Sequence, residues 1–462
     1  MKITARLSVV PMATACLVWL AGCAPLPNAA EVIGKVPFDG TPPRIASIHG
    51  LLSPEQSRAI MKRLSRSAGS TEILERQIAV NEEVSGGPLI KGNRVKLLVD
   101  GPATFAAMFT AIGNARQTID LETFMFEDDE TGRRLADLLI RKRREGVRVN
   151  LIYDSVGSLE TPDGFFRRLR DVGINVVEFN PVNPLKASET WRLTPRDHRK
   201  ILIVDGRTVI TGGVNISRVY SSKFFGDEEQ KPAIPWRDTD IQIDGPAAAE
   251  FQKAFLRVWT LQKGPALNER DYFPPLQEEG DTLVQVITSR PGEAGRTTFI
   301  MYVSAVAFAE RSIHLTASYF VPDGQMIRAL CAAAQSGVEV EIILPKTSDQ
   351  NLALYAGQYY YDELLESGVK LYERRDAVLH AKTAVIDGVW ATVGSTNLDF
   401  LSFSDNFEIN TVVLGGEFAA QMERMFRRDL AASDRITEEG WDDRPWSSRI
   451  REWFAHLFAR ML

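Results

Sequence analysis

The sequence predicts an α/β protein made of two pseudo-symmetric sandwich halves that share one composite active site at their interface. Three observations carry this. From Asn93 onward, strand-like and helix-like segments alternate, the signature of a sheet with helices packed on its faces. The same order of segments recurs in the second half of the chain, an internal duplication. Each half also holds one copy of an unusual polar stretch, Asp197-His198-Arg199-Lys200-Ile201-Leu202-Ile203-Val204-Asp205-Gly206 and His380-Ala381-Lys382-Thr383-Ala384-Val385-Ile386-Asp387-Gly388.

Residues 1–22 read as a signal segment. Lys2 and Arg6 give a positive start, and the apolar run from Leu7 to Leu20 is short for a membrane span and interrupted by Pro11. It ends in Leu20-Ala21-Gly22-Cys23, which resembles a bacterial lipoprotein cleavage box and implies lipid attachment to Cys23. The expectation is a membrane-associated lipoprotein on the periplasmic side of a bacterial envelope. Residues 23–92 read as a tether with a packing helix, opened by the capping-box pattern Ser53-Pro54-Glu55-Gln56.

The first half is expected over residues 93–275. Val95–Val99 reads as a strand, and Phe105, Met108, Ile112 and Ala115 fall on one helical face. Ile119–Phe126 reads as a second strand, followed by a helix to Arg144, a stop at Gly146 and the strand Val147–Tyr153. The second half, residues 276–432, repeats the plan: Ile313–Phe320 answers Ile119–Phe126, and Val338–Leu344 answers the strand after Gly146. His314, matched to Asp120, reads as a structural histidine. In residues 433–462, Trp446, Ile450, Trp453, Phe454, Leu457 and Met461 form one apolar stripe at helical spacing, with Arg449, Arg451 and Arg460 nearby. Such a helix either packs on the core or lies on a phospholipid surface.

Composition narrows the chemistry. Across 462 residues the formal charge is −6, which provides no basic footprint for nucleic acid. Three cysteines cannot build a disulfide framework. No cysteine or histidine spacing matches a zinc site, so a mechanism without metal or cofactor is expected.

In each motif, His and Lys stand two apart and share one face of a strand closed by an Asp-Gly turn. Gly212, Gly213 and Asn215 follow the first, and Gly394, Ser395 and Asn397 follow the second. Lys200, Lys382, Asn215 and Asn397 would surround an anionic centre with donors, as a phosphodiester requires when charge builds on its oxygens. One imidazole attacks phosphorus, and the other gives a proton to the departing alkoxide. The pair therefore needs opposite protonation. Lysines disfavour an imidazolium and carboxylates favour it. Candidate carboxylates are Asp238 in Trp236-Arg237-Asp238-Thr239-Asp240 and Glu408 in Asn406-Phe407-Glu408-Ile409-Asn410.

The paired His-x-Lys-x4-Asp motifs, with Gly-Gly-x-Asn and Gly-Ser-x-Asn continuations, resemble the phospholipase D superfamily from about Asn93 to Arg444. Within it the chain looks most like bacterial cardiolipin synthases. The stretches that carry this are Ile119–Phe126, Trp236-Arg237-Asp238-Thr239 with Gly245-Pro246, Tyr319-Phe320-Val321-Pro322-Asp323 and Asn397-Leu398-Asp399. The resemblance implies a phosphatidyltransferase that makes cardiolipin from phosphatidylglycerol and a second phospholipid, with phosphatidylethanolamine another possible substrate. Hydrolysis to phosphatidic acid is the alternative; a nuclease fits the acidic balance poorly. It implies His198 as nucleophile and His380 as acid, within a catalytic motif set of His198, Lys200, Asp205, His380, Lys382 and Asp387 in which the two aspartates play a structural part. Leu401 stands where these synthases usually have arginine, and Ser318 where proline is usual. The acceptor and the oligomeric state are left open.

Overall fold

The computed structural model describes residues 25–68, 72–183, 194–221, 234–292 and 296–462. The signal segment and Cys23 lie outside the described residues.

Two layers of strands have the same order. In the first half, Leu89–Val99 (β1), Thr118–Thr123 (β2), Arg148–Asp154 (β3), Asn175–Phe179 (β4), Ile201–Val204 (β5), Thr208–Gly212 (β6) and Thr239–Asp244 (β7) lie side by side as β4-β3-β2-β5-β6-β7-β1. In the second, Thr282–Ser289 (β8), Ser312–Thr316 (β9), Glu339–Pro345 (β10), Lys370–Arg374 (β11), Thr383–Ile386 (β12), Trp390–Gly394 (β13) and Glu408–Leu414 (β14) lie as β11-β10-β9-β12-β13-β14-β8. Parallel and antiparallel pairs match strand for strand, so the duplication read from the sequence is a duplication of topology. β1 joins the layers: Arg94–Val99 pairs with β7, while Ile90 and Asn93 pair with β8. With the short strands Ile45–Ser47, Gly50–Leu51 and Ser433–Ile436, the described residues form one 17-stranded sheet.

The central strands are buried along their length, β2 and β14 at every residue, as a sheet covered on both faces requires. Helices Pro54–Ala68 (α1), Glu72–Ser85 (α2), Asp100–Asn114 (α3), Glu130–Arg144 (α4), Ala248–Leu261 (α5), Thr297–Ala307 (α6), Asn351–Gln358 (α7), Gly416–Ala431 (α8) and Trp446–His456 (α9) supply the cover. α3 buries Phe105, Met108 and Ile112, the face expected from their spacing. α4 starts at Asp129, whose carboxylate accepts from Gly132 N. It ends with Arg141, Lys142, Arg143 and Arg144 at the negative end of its dipole.

The N-terminal extension contains the expected helix, α1. Its capping box forms, with Ser53 N donating to Gln56 Oε1 at 2.9 Å and Gln56 N to Ser53 Oγ at 3.3 Å. A second helix, α2, follows it. Ile73, Leu74, Ile78 and Val80 pack into the core of the second half with Phe299, Ile300 and Met301 of α6. The segment is part of that core because its apolar side chains pack against α6, which is buried along almost its whole length. β1 also begins at Leu89, ahead of the expected boundary at residue 93. Among the described residues, no helix is long and apolar enough to cross a membrane.

Candidate active site

The two Asp-Gly turns fold alike. Asp205 and Gly206 have φ of 52° and 61°, and Asp387 and Gly388 have 54° and 65°. Two left-handed residues in succession are the type I′ combination that suits a hairpin's twist. Each aspartate is consumed by structure. Asp205 accepts from the backbone N–H of Arg116, Gln117 and Thr118 at 2.7–3.2 Å. Asp387 accepts from Glu310, Arg311 and Ser312 at 2.8–3.0 Å. Both sit at the far end of the hairpin strand from the motif histidine, so neither joins the reacting groups. They pin the hairpin to the start of β2 or β9.

The histidines are not on the strand, as the alternating pattern suggested. β5 begins only at Ile201 and β12 at Thr383. The preceding residues leave the sheet and pair with the opposite half. His198 N donates to Phe407 O at 3.0 Å, and Phe407 N donates to Arg196 O at 2.8 Å. Val378–Leu379 runs parallel to Trp236–Arg237, and His380 N donates to Arg237 O at 2.8 Å. Each histidine thus hangs from the residue that precedes the other half's carboxylate. His198 Nδ1 lies 3.2 Å from both Glu408 oxygens. His380 Nδ1 lies 2.8 Å from Asp238 Oδ2. The site is crossed: each half supplies the imidazole that the other half orients. This leaves each Nε2 for the reacting atoms.

The small residues after each hairpin make room for these carboxylates. A side chain on Gly213 would overlap the carboxylate of Asp238. At the matching place in the second half, Ser395 donates its hydroxyl to Glu408 Oε2. Gly213 and Ser395 therefore do one job in two ways.

Lys200 and Lys382 are buried and each donates to the carbonyl of its own motif histidine, Lys200 at 2.6 Å. Their ammonium groups stand over aromatic rings, Lys200 over Phe124 at 5.2 Å and Lys382 over Tyr319 at 5.9 Å. The same rings meet the histidines edge-on: Phe124 with His198, and Tyr319 with His380. Asn215 accepts from Met125 N at 3.3 Å and donates to Tyr220 Oη at 3.0 Å. Asn397 accepts from Ser318 Oγ at 2.8 Å, so the serine found in place of proline holds a motif asparagine.

Electrostatics distinguish the pairs. Burial pushes Lys200 down to about 7 and Lys382 to about 8. Burial and then Lys200 push His198 below its ordinary value, against Glu408. Burial followed by Lys382 and Lys200 drives His380 further down. Burial pushes Asp238 up to about 6, against Lys382. For Glu408 burial acts upward, but His198 and Lys200 hold the carboxyl below its usual range. Burial and the lysines thus act against a charged imidazole in both halves, with the Glu408 carboxylate as the opposing influence at His198. Burial is the larger cause for both rings, and the lysines, buried beside them, add to it.

Tyr220 is a site residue that sequence reasoning missed. Its hydroxyl lies 3.3 Å from His380 Nδ1, and it is fully buried. Matching the halves places Ser402 opposite it, and Ser402 Oγ accepts from Asn397 N at 3.3 Å; the duplication was the available signal. His314 stands apart, as expected. Its Nδ1 meets Glu423 at 2.8 Å, it stacks on Phe426, and neighbouring Glu341 is paired with Arg427 at 2.6 Å.

Comparison with known proteins shows the family. Residues 108–259 and 302–430, one segment in each half, match the family described as cardiolipin synthase, PLD-like domain. A cardiolipin synthase of Geobacillus kaustophilus (strain HTA426) is 34% identical over 380 residues, 81% of this chain and 74% of that protein. Cardiolipin synthase A of Pseudomonas aeruginosa (strain LESB58) is 35% identical over 354 residues, 76% of this chain and 70% of that protein. The crystal structure of a phosphatidylserine synthase from Haemophilus influenzae Rd KW20 shares the fold, with a TM-score of 0.59 at 15% identity over 79% of this chain and 93% of that one. The chain belongs to the cardiolipin synthase family of phospholipase D-like proteins.

Proposed function

We propose that the protein is a phosphatidyltransferase that makes cardiolipin from phosphatidylglycerol and a second phospholipid, with His198 as nucleophile and His380 as general acid and base. The crossed pairs, His198 with Glu408 and His380 with Asp238, are the observation that carries this reading. A carboxylate on Nδ1 keeps that nitrogen protonated and frees the Nε2 lone pair. In the first step His198 Nε2 attacks phosphorus, the bond to the headgroup glycerol oxygen breaks, and His380 gives that oxygen its proton, leaving the phosphatidyl group on His198. In the second step the acceptor hydroxyl attacks phosphorus, His380 takes its proton, and the phosphorus–nitrogen bond breaks to restore His198.

Lys200, Lys382, Asn215 and Asn397 hold the phosphoryl oxygens. The substrate completes the protonation pattern. A phosphodiester anion beside the lysines offsets their charge, which allows His380 to carry the proton that burial and the lysines otherwise remove. Glu408 then compensates the positive charge that His198 acquires as it bonds to phosphorus.

The membrane is the second part of this reading. The lipoprotein-type box at Leu20–Cys23 supports an acyl anchor on Cys23 at the periplasmic face of the envelope. The deciding experiment incubates purified protein with labelled phosphatidylglycerol, traps the phosphoenzyme and resolves the products. Cardiolipin should form, and His198→Ala should abolish the adduct. An adduct on His380 with His198 unmodified would reverse the two roles, and phosphatidic acid as the main product would replace transfer by hydrolysis.

A further inference from the structure

We infer that α9 and the residues following it to Leu462 are a bilayer-docking face that seats the mouth of the composite site on the phospholipid surface; this rests on the lipid reading above. α9 is held firmly by one side. Glu452 and Ala455 are buried, and Ala455 packs with Val321, Ala353 and Ala356. Arg444 ties Glu452 to Asp362 at 3.1 and 2.8 Å. His456 stacks on Tyr359 at 4.0 Å, and Leu462 O accepts from Leu401 N at 3.2 Å.

The opposite side is apolar and bare. Trp446 is 74% exposed, Trp453 and Phe454 are each 54%, and Leu457 is 58%, with Ile450 and Met461 also exposed. Because the helix is anchored, this stripe is presented outward as a fixed surface. A soluble protein seldom leaves so much contiguous apolar side chain uncovered.

Three features identify the occupant as lipid. Tyr319, whose ring meets His380, packs on the same cluster as Ala455 and Leu462, so the buried side of α9 is one layer of side chains from the site and the stripe lies on the outer side of the same helix. The first half has a counterpart: Leu159, 68% exposed, lies on the loop whose Gly157 packs against Phe124, the ring that meets His198. Exposed Arg449, Arg451 and Arg460 flank the stripe, Arg449 beside Asp442 at 3.5 Å and Arg451 over Tyr355, and their exposed charge suits anionic headgroups in a chain whose overall charge of −6 would be repelled by them. Tryptophans beside arginines on one helical face are suited to the headgroup boundary. A substrate whose acyl chains stay in the bilayer needs its phosphate met at that depth.

The test uses the chain with Cys23→Ser in every arm, so that no acyl anchor contributes, and vesicles of phosphatidylglycerol and phosphatidylethanolamine. Trp453→Ser with Phe454→Ser should weaken vesicle flotation by about tenfold or more, the loss expected for two aromatic side chains no longer buried in lipid. Transfer on vesicles should fall in step, while transfer on detergent-dispersed lipid stays unchanged. Lipids brominated in the acyl chain should quench tryptophan fluorescence less once Trp446 and Trp453 are Phe. Unchanged vesicle binding without quenching overturns the inference. So does a dimer split by the serine pair with vesicle binding intact, which would assign the stripe to a second copy. If the double variant loses its cooperative melt, Trp446→Ser takes its place. A protein that binds vesicles through the stripe but transfers nothing would refute the lipid-transfer reading and leave this one standing.

Discussion

Glu408→Gln isolates what the crossed carboxylate contributes. Glutamine keeps the shape and one oxygen to accept from Nδ1, and removes the charge together with the second acceptor oxygen. Glu408 is fully buried and lies 3.2 Å from His198 Nδ1 through either oxygen. When His198 bonds to phosphorus it becomes cationic, and at that separation the attraction to a carboxylate is about 5 kcal/mol at an effective dielectric near 20. Glutamine retains part of this as a dipole, so the net loss in the transition state is about 2–4 kcal/mol, or about 30- to 1,000-fold in the rate of phosphoenzyme formation. Rapid-quench measurement with labelled phosphatidylglycerol in detergent reads that step directly, and a thermal melt checks that the variant is folded. Loss confined to product release, or phosphoenzyme formation at the wild-type rate, would refute the argument that Glu408 compensates the charge on His198.

Two further outcomes follow from the same geometry. Sulfate, whose charge is constant near neutrality, should inhibit best at low pH, because an anion binds the charged lysines. As pH rises through about 7 for Lys200 and about 8 for Lys382, the inhibition constant should climb by up to about tenfold per pH unit for each proton lost; a flat profile would place the anion elsewhere. Asp205→Ala strands three backbone N–H groups, which should cost about 2–4 kcal/mol of stability in a denaturant titration while turnover per folded molecule stays near normal. A large loss of turnover at full stability would show that Asp205 does more than hold the hairpin.

Much of this was determined by the sequence alone. The residues of each half repeat in order, and that repetition implies matching topology because each local pattern of strand, helix and turn is set by neighbours a few positions away. The capping box at Ser53 and the left-handed Asp-Gly turns belong to this class, as does the burial of Phe105, Met108 and Ile112 on one face. The residues of both motifs were legible too, and the fold buries His198, Lys200, His380 and Lys382.

Tertiary structure decided what distance along the chain conceals. His198 and Glu408 are 210 positions apart, and His380 and Asp238 are 142 apart; both carboxylates were candidates in the sequence, but only the fold shows that each serves the histidine of the other half. It also moved the histidines off their strands, because their backbones pair with the opposite half, and it brought in Tyr220. It added α2 to the one packing helix read in residues 23–92, and turned an apolar stripe outward that helical periodicity alone places equally well inside. Periodicity states which side chains share a face, whereas what lies against that face is settled only when distant segments compete to bury it.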